Sequence, residues 1–179
     1  MDTVEHLEKL FKEHGCDDFK WINTKDIIVA QWVRMKCTFG CATYGTKGAC
    51  PPNVPSVAEC REFFGEYQDA VIFHFEKTLD DPKERFAWGK ETNENLLTLE
   101  RKVFLLGYQK AFMFYMDECC VCDDCSASRI DCKNQKSARP CPEAFGVDVF
   151  STVKKCGYPI NVLGEYSEKM NRYALLMIE

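Results

Sequence analysis

The feature that most constrains this chain is the number and placement of its cysteines: twelve in 179 residues. Five lie before residue 61, none between 61 and 118, and seven between 119 and 156. Small exported domains use cysteines as disulfides because they cannot bury a sufficient core. This chain is long enough for a core, and its start (Met1-Asp2-Thr3-Val4-Glu5-His6) lacks the basic-then-apolar order of an export signal. Staples would also be spread more evenly. The expectation is therefore reduced thiols in a cytoplasmic setting, available to metal. Composition narrows the rest. An apolar share of 46% with 28% charged residues is a globular mix. No apolar run approaches the ~20 residues of a membrane span. A net charge of −5 argues against nucleic acid as a partner.

Periodicity predicts helices over 3–14, from the Ser56 cap to about Tyr67, from Pro82 to near Gly107, and over Val147–Lys155. Ser56 with Glu59 has capping-box spacing. Leu96, Leu99, Val103 and Leu106 form a stripe expected to face a core. Strands are predicted at Ile27–Val33, Ala70–Phe75, Lys110–Met116 and Tyr173–Ile178, with irregular loops over 34–55 and 119–142. The alternation indicates a mixed α/β (α+β) fold: one domain over 1–179, a single sheet flanked by helices, and two cysteine-rich metal-binding loops leaving strands.

The second loop carries the stronger signal. Cys119, Cys122 and Cys125 form C-x2-C-x2-C, and Cys132 follows after six residues. Successive C-x2-C steps let one turn of chain aim several sulfurs at a compact inorganic core, as the bacterial ferredoxin run does. Zinc more often takes two separated pairs and commonly recruits histidine. The histidines here, His6, His14 and His74, all lie outside the cysteine loops. A thiolate-only site fits an iron–sulfur cluster, [4Fe-4S] in type, better than structural zinc or redox thiols. Cys120, inside the run, is expected to be a packed thiol.

In the first loop Cys37, Cys41 and Cys50 form C-x3-C-x8-C, followed by Pro51-Pro52. Gly40, Gly45 and Gly48 let backbone N–H groups approach a bound core. Arg34, Lys36 and Lys47, with no acidic residue from Arg34 to Cys50, are expected to favour thiolates. Three local cysteines leave two alternatives. Either Cys16, Cys60, Cys141 or Cys156 supplies a fourth ligand, or one iron stays open to a substrate.

Several segments together resemble a known family: the prokaryotic cysteine-rich predicted metal-binding proteins, a domain of unknown function. They are Lys36-Cys37-Thr38-Phe39-Gly40-Cys41, Tyr44-Gly45, Cys50-Pro51-Pro52, the run from Cys119 to Cys132, Ala138-Arg139-Pro140, Glu143-Ala144 and Gly146-Val147-Asp148-Val149. The resemblance covers roughly residues 30–160. It implies a cytoplasmic protein, common in anaerobes, that binds iron–sulfur clusters through cysteines 37, 41, 50, 119, 122, 125 and 132. Cys141 stands where the family pattern implies a small polar residue.

Three functions follow as expectations: an electron-transfer protein serving a redox partner protein, a redox enzyme with an open iron at the Cys37/Cys41/Cys50 site, or a zinc-stabilised interaction module. Glu143 and Asp148 are read as helix N-terminal charges before acid–base groups. Lys133, Lys136 and Arg139 are read as a docking patch or charge balance, and His74 as a satisfied core residue.

Overall fold

A computed structural model describes residues 3–81, 83–165 and 167–179. Its centre is a four-stranded antiparallel sheet: β1 (Asp18–Asn23), β2 (Asp69–Lys77), β3 (Phe112–Phe114) and β4 (Met170–Met177), in the order β1-β2-β4-β3. The helices are α1 (Thr3–Glu13), α2 (Gln31–Gly40), α3 (Val57–Gly65), α4 (Glu84–Leu105) and α5 (Val149–Lys155), with short 3-10 turns at Thr24–Asp26 and Pro142–Phe145. The fold is mixed α/β, as expected.

Alternation along the central strands builds two cores. Ala70 and Ile72 with Tyr173, Leu175 and Met177 face α3 and α5. Val71 and Phe73 with Ala174 and Leu176 face α1 and α4, where Leu7, Leu10, Phe11, Leu96, Leu99 and Val103 are buried. Leu106, expected in that stripe, lies past the end of α4 and is 44% exposed. Pro82, expected to open α4, lies outside the described residues. The capping box forms as expected, with Glu59 N–H donating to Ser56 Oγ and Ser56 N–H to Glu59 Oε2.

Two readings of the N-terminal third are corrected. The predicted strand at Ile27–Val33 shrinks to one bridge, Val29 to Val147, and the chain turns helical at Gln31. Ala30 N–H donates to Gly146 O, and Asp148 N–H donates to Ile28 O. Beyond that contact the good helix formers Gln31, Arg34, Met35 and Lys36 outweigh the β-branched run before them. The strand that does form there is β1. Its Phe19 and Trp21 pack toward α1, and Ile22 packs on the opposite side.

β3 is short and lies at an edge of the sheet. Beyond Phe114 the chain leaves β4, and Tyr115 N–H donates to Pro140 O instead. The outward Met113 N–H is taken by Glu100 and the Met116 N–H by Asn93, both buried on α4. The edge is thus satisfied by a helix, and the chain is released directly into the second cysteine loop.

Candidate metal centre

The first three predicted ligands come together. Cys37, Cys41 and Cys50 line one cavity of about 160 Å3, with Tyr44, Asp117, Glu118 and Glu143. Their carriers differ from the expectation of a loop leaving a strand: Cys37 sits in the last turn of α2 and Cys41 caps that helix. Cys41 is exposed and shares a 3.2 Å hydrogen bond with Thr43 Oγ1, while Cys50 is buried. Arg34, one turn before Cys37, donates to Pro55 O and Ala144 O, tying α2 to the turn at Pro142–Phe145.

A fourth sulfur lines the same cavity: Cys141. It occupies an extended position just before Pro142. The other candidates for a fourth ligand lie elsewhere. Cys16 and Cys60 are buried in the two cores, and Cys156 packs beside α5, where its carbonyl accepts from Lys20.

The expected thiolate-favouring field does not appear. Burial pushes the Cys50 thiol up to about 12, helped by Glu118 and the neighbouring cysteines. Burial likewise raises Cys37, reinforced by Cys41 and Glu143 against Arg34. It raises Cys141 well above the ordinary thiol value, with Glu143 and Cys50 adding to it. Arg34 gives its Nη2 to carbonyls, while folding brings in acidic groups from residues 117, 118 and 143 that the local stretch 34–50 does not contain.

The second loop folds against the first. Gly48 N–H donates to Cys125 Sγ at 3.4 Å. A Cβ on Gly48 would stand 2.7 Å from Ser128 O, so only glycine allows this approach. Asn53 Nδ2 donates to Ala127 O and Lys47 O, holding the same junction. Cys119 lies within electrostatic range of both Cys125 and Cys50. Cys122 Sγ accepts from Asn134 Nδ2 at 3.0 Å, and Cys132 is half-buried farther along the loop. Cys120 faces α4, accepting from Asn93 Nδ2 at 3.7 Å, in line with the packed-thiol expectation. Among the described residues, no three cysteine, histidine or carboxylate side chains stand at the spacing of a single metal ion.

Nearby polar residues have structural partners. Arg139 Nε donates to both oxygens of Glu100, at 3.0 and 2.9 Å, fixing the exit of the cysteine loop to α4. Asp148 caps α5 by accepting from Ser151 N–H. His74 bonds Asp18 and Asn171 and stacks on Tyr173, as a satisfied core residue does. A larger cavity of about 470 Å3, lined by Arg85, Met116, Phe150, Arg172 and Tyr173 among others, lies behind Glu143, which lines both cavities.

Twelve unpaired cysteines, eight of them in two abutting segments, define a cysteine-rich protein of the metal-binding class. Residues 20–178 match the family model "Predicted metal-binding protein (DUF2284)", and the chain belongs to that family. No curated protein and no solved structure matches it. Among the described residues no helix is long and apolar enough to cross a membrane.

Proposed function

We propose that the chain binds iron–sulfur clusters, [4Fe-4S] in type, at Cys37/Cys41/Cys50 and at Cys119/Cys122/Cys125/Cys132, and passes electrons between them and a redox partner. One observation carries this reading: the Gly48 N–H donated to Cys125 Sγ, which joins the two cysteine segments through a hydrogen bond to sulfur. The donor set fits the group. The cavity's cysteines would lose their protons on ligation, and Gly48, Asn134 and Asn93 direct N–H groups at sulfurs of the second loop. Hydrogen bonds of this kind tune reduction potential and orient ligands. A bound cluster supplies one-electron transfer. The chain's residues supply everything else: α2 and the Pro51–Pro52 turn fix the first three sulfurs, Tyr44 borders their cavity, and the Glu100–Arg139 pair holds the second loop in place.

Iron and acid-labile sulfide per chain, measured on anaerobically purified protein, test the reading. About eight of each corresponds to two cubanes and about four to one. Colourless protein with stoichiometric zinc and no sulfide leaves only the structural-zinc reading.

A redox enzyme is the second reading, favoured by the larger cavity. Arg172 on its wall has a buried Nε with no hydrogen-bond partner, and Glu143 stands between that cavity and the first site. A substrate there would lie next to the cysteines. Turnover of a small acceptor molecule only in iron-loaded protein would support it.

A further inference from the structure

We propose that Cys141 is the fourth thiolate of the first site, closing it as Cys37, Cys41, Cys50 and Cys141. This rests on the iron–sulfur reading above and removes the open iron that an enzyme at this site would use. Two observations carry it. Cys141 lines the same cavity as the three local cysteines, and Cys16, Cys60, Cys119 and Cys156 do not.

Its backbone is also held on both sides. Tyr115 N–H donates to Pro140 O, Val147 N–H donates to Pro142 O, and Gly146 ends the turn in the left-handed region at φ +77°. Arg34 donates to Ala144 O from the helix that carries Cys37, so the two ligand-bearing elements are fixed to each other. A ligand on restrained backbone loses little freedom on binding, which favours ligation over a loose neighbouring thiol. Ligation forms one iron–sulfur bond as the Cys141 thiol gives its proton to the buffer, with no change of oxidation state.

Cyanide and Cys141→Ala, both on anaerobically purified full-length protein, test the assignment. Wild type should show no change in its visible spectrum with cyanide. Cys141→Ala should keep the second site's iron, lose about one iron per chain on mild oxidation, show a three-iron signal by electron paramagnetic resonance, and shift its spectrum with cyanide. Cys60→Ala, changing a core cysteine outside the cavity, should match wild type throughout. A cyanide shift in wild type overturns the proposal even if Cys141→Ala fails to fold. So does a Cys141→Ala protein with the iron content, resonance signal and cyanide response of wild type. Wild type free of iron and sulfide sinks the iron–sulfur reading, and the fourth-ligand assignment falls with it.

Discussion

The sheet and the second cysteine loop are held by different physics, although β3 leads from one into the other within a few residues. Along β4, six of eight residues are buried, and both faces of the sheet carry a continuous apolar core. From Asp117 to Ser137 not one residue is buried, and no helix or strand forms. The sheet is stabilised by removing apolar surface from water, about 25 cal/mol per Å2. The loop has almost none of that surface to remove. It is held instead by hydrogen bonds onto sulfur, by the Asn53 bridge, and by the Glu100–Arg139 pair at its exit. Under the proposed iron–sulfur reading, such a segment would take folding free energy from what it binds, as small metal-dependent domains do.

Removing the metal should break the comparison most visibly. Anaerobic chelation is expected to abolish hydrogen-exchange protection across 117–137 while β2 and β4 keep theirs. Equal loss in both regions would show that the sheet too depends on the bound group. The converse experiment acts on the sheet. Leu99→Ala opens a hole in the core beneath α4 and should cost about 2–5 kcal/mol by chemical denaturation. Iron per chain in the folded fraction should stay at the wild-type value. Gly48→Ala is a smaller change at the junction. Its methyl group must displace the backbone at Ser128, costing about 1–3 kcal/mol. It should shift the reduction potential of the second site by weakening the N–H contact to Cys125. An unchanged potential would mean that the two segments sit side by side without mechanical coupling.

How much of this was legible in the sequence follows the same division. Local signals read well: the Ser56–Glu59 box, the Leu96/Leu99/Val103 stripe and the strands at 70–75 and 173–178. They work because capping and periodicity act within a few residues. The segment 27–40 misled because its β-branched start meets its partner, Val147, more than a hundred residues away, and the helical stretch follows at once. Periodicity does not pick out β1, because Ile22 adds an apolar residue on the face opposite Phe19 and Trp21 and breaks the alternation. At the candidate site, spacing picked out Cys37, Cys41 and Cys50, which share a cavity. Which of Cys16, Cys60, Cys141 and Cys156 shares that cavity depends on where the Pro142–Phe145 turn docks. The acidic groups that add to burial in raising the thiols are invisible for the same reason. Residues 34–50 are basic by themselves, and Glu118 and Glu143 arrive only through folding.

The missing side chain at Gly48 has a thermodynamic consequence. With Gly48 seated against Ser128, the turn preceding Cys50 and the turn following Cys125 cannot be ordered separately. Under the two-cluster proposal, filling either site would restrict backbone that the other must also restrict, so the first occupant would lower the ordering cost met by the second. Linkage makes that benefit reciprocal: whatever factor one site gains from its neighbour, the neighbour gains in return. Partly loaded protein should therefore sort into empty and full chains, with few carrying one group alone.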